Sequence, residues 1–328
     1  MKRFFRFNNK KAVVIILGPT AVGKTSFSLD MAKLMHSEII CADSMQVYQG
    51  MDIATAKPTP KERQSIKHHL LDVISPKELF SAKKFLDLAI PVIEKLLALN
   101  SHPLVVGGTG LYIKALTEGL VEAPACDPEI LKALEVEAER FGTKRLHSRL
   151  NRVDPRSAAE IGQADCRRLV RALAVYIQEG APLSELRAEK TTRPPYRFIK
   201  IGLTRKRQEL YDRIDRRVDD MIKNGLLEET KRLLDLKPSR SALQALGYKE
   251  MAGYLSGHSS LEDAVRMIKQ RTRRFCKRQQ TWFRKDSEIQ WVDITGLERP
   301  SEIMEMAIKS LKCLDIIRYR NNLTIASK

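Results

Sequence analysis

Residues 18–25 have the sequence Gly18-Pro19-Thr20-Ala21-Val22-Gly23-Lys24-Thr25, which is the pattern G-x-x-x-x-G-K-T. The stretch follows the apolar run 12–17 and precedes a helical pattern that begins at Ser26. Its glycines let successive backbone N–H groups turn inward around phosphate oxygens, and the following helix adds its positive end. Lys24 supplies a mobile cation, and the hydroxyl of Thr25 suits a Mg²⁺ ion. The stretch therefore predicts a phosphate-binding loop (P-loop) for a di- or triphosphate.

The length and charge of the chain indicate how large its core can be and what class of partner it binds. The 328 residues, 43% of them apolar, are enough to bury one sizeable core and a smaller second one. A formal net charge of +18 indicates a large polyanionic partner, with nucleic acid first and an anionic membrane surface second. A protein that is basic without a specific partner remains the alternative until the charges are shown to cluster.

The cysteines and the N-terminal stretch indicate a cytoplasmic protein. The five cysteines lie far apart and form no C-x-x-C pair, which argues against a zinc site or a disulfide framework and fits a reducing cytosol. The first core strand begins at about Ala12, which leaves no room for a secretory signal, and no apolar run approaches transmembrane length. We therefore expect no membrane association.

Two further strand ends carry polar or small residues. Asp43 follows the short apolar stretch 38–42, so we expect it at the carboxyl end of a strand, facing the same cleft as Lys24. A helix-capping role for Asp43 is the alternative. The apolar run 104–106 leads into Gly107-Gly108-Thr109 without the Asp that many P-loop hydrolases use for Mg²⁺. The two glycines allow the backbone to approach a ligand closely, and a simple tight turn is the alternative.

The order of predicted elements indicates an α/β fold, a P-loop NTPase-like parallel sheet flanked by helices, with a mostly helical insertion domain. We predict a first part of the core at 1–123, the insertion at 124–197 and a continuation of the core with basic helices at 198–328. The insertion is rich in Lys and Arg, which indicates a nucleic-acid surface, with a solvated charged face as the alternative. A long helix is predicted from about Arg205 to Leu236, with Arg213 and Arg217 on one face where they can reach a phosphate.

Several motifs together give this chain a family resemblance. They are the P-loop, Ala42-Asp43-Ser44-Met45-Gln46-Val47-Tyr48, Gly107-Gly108-Thr109-Gly110-Leu111-Tyr112, Gly247-Tyr248-Lys249-Glu250 and Lys277-Arg278-Gln279-Gln280-Thr281-Trp282-Phe283-Arg284. In this combination the sequence resembles the tRNA dimethylallyltransferases, also called tRNA isopentenyltransferases, over nearly its whole length up to about Ile294.

The resemblance implies transfer of a dimethylallyl group from dimethylallyl diphosphate to the exocyclic amine of the adenosine 3′ to the anticodon of tRNA. The P-loop would then hold the diphosphate leaving group with Mg²⁺ at Thr25, assisted by Thr20 and Arg213, and Asp43 would be the general base. The protein would act as a monomer on RNA. The residues implied in tRNA binding are Asp43, Ser44, Met45, Gln46, Thr109, Arg167, Arg168, Arg171, Gln244, Gly247, Tyr248 and Lys249.

Two segments depart from the family pattern. Gly162-Gln163-Ala164-Asp165 stands where His-Pro-Asn-Asp is usual, and Ala54-Thr55-Ala56-Lys57 stands where Gly-Thr-Ala-Lys is usual. The first departure bears on how the anticodon loop is held. Two other functions remain open on the residues alone: a small-molecule kinase that uses the loop on ATP, and an RNA-binding protein in which the loop is a nucleotide-dependent clamp.

Overall fold

The computed structural model describes residues 12–120, 126–190 and 193–310. The described strands are β1 (Ala12–Leu17), β2 (Ile39–Ala42), β3 (His68–His69), β4 (Leu104–Gly107), β5 (Arg197–Thr204) and β6 (Gln290–Asp293). The described helices are α1 (Lys24–Met35), α2 (Pro60–Ser65), α3 (Ala82–Ala98), α4 (Gly110–Glu118), α5 (Pro128–Phe141), α6 (Thr143–Val153), α7 (Pro155–Glu160), α8 (Cys166–Glu179), α9 (Leu183–Lys190), α10 (Arg207–Lys223), α11 (Leu226–Asp235), α12 (Arg240–Leu243), α13 (Tyr248–Leu255), α14 (Leu261–Phe283) and α15 (Pro300–Ser310).

The strands form one parallel sheet in the order β3-β2-β4-β1-β5-β6, which confirms the predicted parallel-sheet core. All six residues of β1 are buried, as expected for a central strand that helices cover on both faces. Leu17 pairs with Gly107 and with Gly202, and Ala42 also pairs with Gly107. The segments that follow these strands therefore leave the sheet along the same edge.

The chain divides into two compact units, Met1–Lys114 with Pro195–Lys328, and Ala115–Pro194. The second unit corresponds to the predicted insertion but starts earlier than 124, because the division falls inside α4 between Lys114 and Ala115, and neither of these residues is a proline or glycine that would mark it. The predicted boundary between 123 and 124 lies outside the described residues.

The second unit is helical, as predicted, and has its own apolar core. Three of its helices begin at an aspartate that accepts a hydrogen bond from a first-turn N–H: Asp127 for α5, Asp154 for α7 and Asp165 for α8. Its fully buried side chains include Leu146, Leu150, Leu169, Leu173 and Val175. Across both units, no helix in the described ranges combines the length and apolarity that crossing a membrane requires.

The long helix predicted from Arg205 to Leu236 is wrong, because the structure divides it at Gly225. That residue has φ +91°, which side-chain-bearing residues rarely adopt, so α10 ends before it and α11 starts after it. The turn brings Glu229 on α11 against the backbone of 52–54.

Candidate active site

A cavity of about 910 Å³ opens at the edge of the sheet where β1, β2 and β4 end. It is bordered by the P-loop, by the turn after β2, and by α10 and α14. Most of the predicted site residues of the first unit line it, and they are Thr20, Ala21, Gly23, Lys24, Thr25, Asp43, Ser44, Met45, Gln46, Thr109, Arg213 and Gln244. The structure thus places the P-loop and Asp43 in one cavity, as the sequence predicts.

The P-loop is held in a conformation that requires a glycine at its start. Gly18 has φ +149°, and a Cβ there would lie 2.6 Å from the carbonyl oxygen of Leu203. Gly18, Pro19 and Val22 are buried, so the loop exposes to the cavity its middle residues Thr20 and Ala21 and its end from Gly23.

Basic side chains bind the carbonyl groups of the P-loop. Arg205 Nε donates to Val22 O and Arg213 Nε donates to Ala21 O, each at 2.9 Å. Lys24 Nζ donates to Gly18 O and Pro19 O, also at 2.9 Å. With these carbonyls satisfied, the N–H groups from Gly23 to Thr25, at the start of α1, are the donors that the loop offers to an anion.

Two cations share the P-loop side of the cavity. The pKa of Lys24 is lowered to about 8, chiefly by burial; the nearby Asp43 opposes this shift and Arg217 adds to it. Burial also lowers the pKa of Arg217, again with Asp43 opposing. The Arg217 Nη1 atom lies 3.4 Å from Thr20 Oγ1. Partly desolvated cations side by side favour a multiply charged anion between them.

The lowered pKa of Lys24 predicts weaker binding of inorganic diphosphate as pH rises above about 8. In the free protein the Lys24 ammonium loses its proton above about pH 8. Bound diphosphate favours the charged form and so raises the pKa of Lys24. Binding must then take up a proton, so Kd rises about tenfold per pH unit. Calorimetric titration from pH 7 to 9.5 measures this. Lys24→Arg is the control, because guanidinium stays charged, and equal pH dependence in both proteins would contradict the prediction.

Asp43 caps a turn and also lines the cavity. Its Oδ1 accepts the N–H groups of Met45, at 2.8 Å, and Gln46, at 3.3 Å. Within the described residues its Oδ2 makes no hydrogen bond. The Thr109 hydroxyl oxygen accepts the N–H of Ser44 at 2.9 Å and so fixes the same turn. The capping role that the sequence left open is therefore present, and it leaves one carboxylate oxygen of Asp43 available to a ligand.

The glycines at and after the end of β4 allow a close approach, but to groups of the protein itself. A Cβ on Gly107 would overlap the carbonyl of Ala42, and one on Gly108 would overlap the side chain of Gln279. At Gly110 the added carbon would meet the indole of Trp282. Close packing of neighbouring segments therefore explains these glycines without a ligand.

Gln46 uses its side chain within the protein. Its Nε2 donates to the carbonyls of Thr55 and Ala56, at 3.0 and 3.2 Å, and its Oε1 accepts from Cys41 Sγ at 3.0 Å. It therefore holds the segment 54–56, which lines the cavity. A contact of Gln46 with tRNA stays a prediction.

Arg213 and Arg217 differ in their surroundings, although they lie one helical turn apart. Arg213 Nη1 binds both carboxylate oxygens of Glu298, at 2.7 and 2.8 Å. Arg217 instead contacts the hydroxyl of Thr20, and the negative charge of Asp43 favours its charged form. The resemblance selected Arg213 alone for the diphosphate, whereas the residues themselves predicted that both arginines could reach a phosphate. That prediction came from the i, i+4 spacing, which places both arginines on one face.

Glu229 is a buried carboxylate that no pattern in the sequence selects. It is 3% exposed and accepts the N–H groups of Asp52 and Ile53, at 3.1 and 2.9 Å, and the hydroxyl of Tyr248 at 2.5 Å. Burial raises the pKa of Tyr248. The side chain of Tyr248 is fully buried, so it does not fit the predicted tRNA contact and instead positions the start of α13.

The other predicted tRNA contacts occupy two regions. In the first unit Gly247 is buried with φ +101°, while Gln244 and Lys249 are exposed and joined by a 3.2 Å hydrogen bond from Lys249 Nζ. Arg167, Arg168 and Arg171 lie on α8 of the second unit. Arg167 is exposed, Arg168 pairs with Asp165 at 2.5 Å, and Arg171 contacts Cys126 Sγ.

Comparisons with known proteins identify the family. The model of the IPP transferase family matches residues 46–286. A tRNA dimethylallyltransferase of Thermodesulfovibrio yellowstonii is 47% identical over 295 residues, covering 88% of this chain and 93% of the relative. One of Acetivibrio thermocellus is 43% identical over 304 residues, covering 92% and 96%.

Comparison with solved structures supports the same family. The full-length tRNA isopentenylpyrophosphate transferase from Bacillus halodurans is 40% identical with a TM-score of 0.69, covering 96% of this chain and 99% of that one. A eukaryotic dimethylallyltransferase acting on tRNA is 29% identical with a TM-score of 0.78, covering 94% and 80%. The phosphate-binding loop and the facing carboxylate thus lie in a chain that belongs to the IPP transferase family.

Proposed function

We propose that this protein transfers the dimethylallyl group of dimethylallyl diphosphate to the exocyclic amine of the adenosine 3′ to the anticodon of tRNA, releasing diphosphate. The observation that carries the proposal is a single cavity with an anion-binding loop and two cations, Lys24 and Arg217, and an available carboxylate oxygen on Asp43. The relatives that bear the name tRNA dimethylallyltransferase support it.

The P-loop side of the cavity binds the leaving group. As the carbon–oxygen bond of the donor breaks, negative charge builds on the diphosphate, and the N–H groups at the start of α1 together with Lys24 and Arg217 stabilise it. Arg213 adds a further cation at the same edge. Because the loop binds a leaving group, the reaction needs no water positioned for attack on a phosphate.

We also propose Mg²⁺ at this end of the cavity. The Thr25 hydroxyl is a hard oxygen group, which suits Mg²⁺ better than a soft metal. In 12–120, 126–190 and 193–310 no cluster of three or more His, Cys, Asp or Glu side chains could enclose a metal ion. Mg²⁺ is commonly held by one or two side chains and substrate phosphates, so Thr25 suffices here. When bound, the ion neutralises charge on the diphosphate.

The wall formed by α10 and α14 suits the five-carbon group. Arg273 pairs with Asp215 at 2.7 Å and Lys269 pairs with Asp219 at 2.6 Å. Residue numbers fall along α14 as they rise along α10, so the two helices run antiparallel. Arg213 and Arg217 contact the P-loop from α10, and the lining contributed by the two helices also includes apolar side chains. Its apolar lining residues are Ile214, Val218, Met221, Ile268 and Phe275. A donor bound by its diphosphate would extend its hydrocarbon along this surface.

Asp43 acts on the acceptor. An adenine amine is a weak nucleophile that becomes strongly acidic as it attacks, so a carboxylate within hydrogen-bond reach can remove its proton. Oδ1 is occupied by the turn, and Oδ2 takes that role. A stacked base cannot enter such a cavity, so the adenosine must leave the anticodon stack at a cost of roughly a few kcal/mol.

The net charge of +18 supports binding of tRNA, and Arg167, Arg168 and Arg171 are the proposed contacts on the second unit. We further propose that the protein acts as a monomer in the cytoplasm.

Replacing Arg167 and Arg168 by Gln is expected to weaken tRNA binding and to lower the salt slope by about 1 for each phosphate that the variant no longer binds. Filter binding at several salt concentrations measures both quantities. The donor KM at saturating tRNA should not change, and the double variant Lys83→Gln with Lys309→Gln, which removes two exposed charges on α3 and α15, is the charge-matched control. Unchanged affinity and slope in the arginine variant would remove these residues from the RNA surface.

The function is tested by incubating the protein with unmodified tRNA, Mg²⁺ and either dimethylallyl diphosphate or ATP, followed by digestion of the tRNA and mass analysis of its nucleosides. We expect an adenosine enlarged by one five-carbon group only with the prenyl donor. Consumption of ATP without any change in the nucleosides would favour the kinase alternative instead.

A further inference from the structure

Gln279 on α14 bridges two loops of the cavity. The residue is 7% exposed. Its Oε1 accepts the N–H of Thr20 in the P-loop at 2.8 Å, and its Nε2 donates to the carbonyl of Gly108 at 2.9 Å. These loops follow β1 and β4, which are adjacent in the sheet with Leu17 opposite Gly107. One side chain therefore joins the ends of two neighbouring strands.

The bridge requires both a carboxamide at 279 and a glycine at 108. A carboxamide accepts at one atom and donates at the other, whereas an ionised carboxylate only accepts and an apolar side chain does neither. A Cβ on Gly108 would overlap Gln279 Nε2 and lie 3.5 Å from its Cδ. The two residues fit one another, which explains why α14 approaches the strand end so closely.

The connection continues from Gly108 to the Asp43 turn. Thr109 follows Gly108, its N–H donates to Ala42 O at 3.2 Å, and its hydroxyl oxygen accepts the N–H of Ser44 at 2.9 Å. A continuous path of bonds thus runs from Thr20, on the diphosphate side of the cavity, to the residues on both sides of Asp43.

We propose that Gln279 is a positioning residue that sets the spacing between the diphosphate loop and the Asp43 turn, and so between the reacting carbon and the attacking amine. The inference rests on the proposed function. Displacement at carbon needs the nucleophile and the leaving group in line, and an error of about 1 Å costs on the order of 100-fold in rate. Gln279 acts through these loops and does not contact the reacting atoms.

The first test compares Gln279→Leu and Gln279→Glu with Gln280→Leu, the matched change at the next position of the same helix. Both Gln279 variants should lose about 10- to 100-fold in kcat, because neither can accept and donate at once. The KM for the donor and the Kd for tRNA should stay within about threefold, and Gln280→Leu should resemble the wild type. A rise in donor KM at unchanged kcat would overturn the inference, since Gln279 would then shape only the diphosphate site.

A double-mutant cycle tests the fit between residues 279 and 108. Gly108→Ala should lower kcat in the wild-type background, where its Cβ displaces the carboxamide. It should add little in a Gln279→Ala background, where that space is free. Additive losses would contradict the bridge.

Hydrogen exchange at the Thr20 amide tests the bridge without any turnover. Exchange should be at least about tenfold faster in Gln279→Leu than in the wild type or Gln280→Leu, because the N–H loses its acceptor. Equal rates would overturn the inference even if all variants were active. If the wild type transfers no prenyl group, the proposed function fails, and the exchange rates still show whether the bridge exists.

Discussion

Replacing Asp43 with Asn is expected to lower kcat by about 10²- to 10⁴-fold while the protein still binds tRNA and the prenyl donor. Asn retains a side-chain oxygen for the N–H groups of Met45 and Gln46, so the turn is preserved. What the variant loses is the ability to take the proton of the adenine amine. Single-turnover measurements with both substrates saturating isolate this step.

Asp87→Asn is the matched control, because Asp87 is an exposed residue of α3 that pairs with Lys83. It should behave as the wild type. Normal prenyl transfer by Asp43→Asn would contradict the assignment of the general base. A large loss of tRNA affinity would instead show that Asp43 binds the acceptor more than it activates it.

Replacing Arg217 with Gln is expected to lower kcat/KM for the donor by about 10²- to 10³-fold, as when one preorganised donor to a developing anion is removed. Arg213→Gln, on the same helix, should cost clearly less, because Glu298 and the Ala21 carbonyl already engage that guanidinium. Both variants should bind tRNA with nearly unchanged affinity. Steady-state kinetics at varied donor concentration measures the effect.

The ranking of the two variants by their loss in kcat/KM for the donor decides which arginine is the main diphosphate ligand. A larger loss for Arg213→Gln would mean that Glu298 releases Arg213 to the diphosphate when the donor binds, and Arg217 would then be the lesser of the two diphosphate ligands. Equal losses in donor and tRNA affinity for either variant would indicate a structural role.

The sequence alone was enough to predict the parallel sheet, the P-loop and the placement of Asp43. Each of these follows from a local pattern: an apolar strand, a fixed spacing of Gly, Lys and Thr, and the rule that strand ends meet at one edge. The helical second unit was also predictable, because aspartates mark the starts of its helices.

The parts that were missed depend on contacts between residues far apart in the chain. Gln279 meets Thr20 and Gly108, and Glu229 meets the backbone of 52–54, and no local spacing indicates either contact. The break between α10 and α11 did have a signal, since Asn224-Gly225 is a helix-ending pair, but the continuous apolar stripe concealed it. The difference between Arg213 and Arg217 likewise depends on Glu298, which is distant in sequence.

The most direct test of the proposed function measures diphosphate release and prenylated adenosine in the same reaction, with and without tRNA. If the P-loop binds the leaving group of a prenyl transfer, one diphosphate appears for each modified adenosine, and almost none appears without tRNA or in Asp43→Asn. Diphosphate release that continues without tRNA, or release of phosphate from ATP that tRNA does not require, would contradict the claim that this loop serves prenyl transfer.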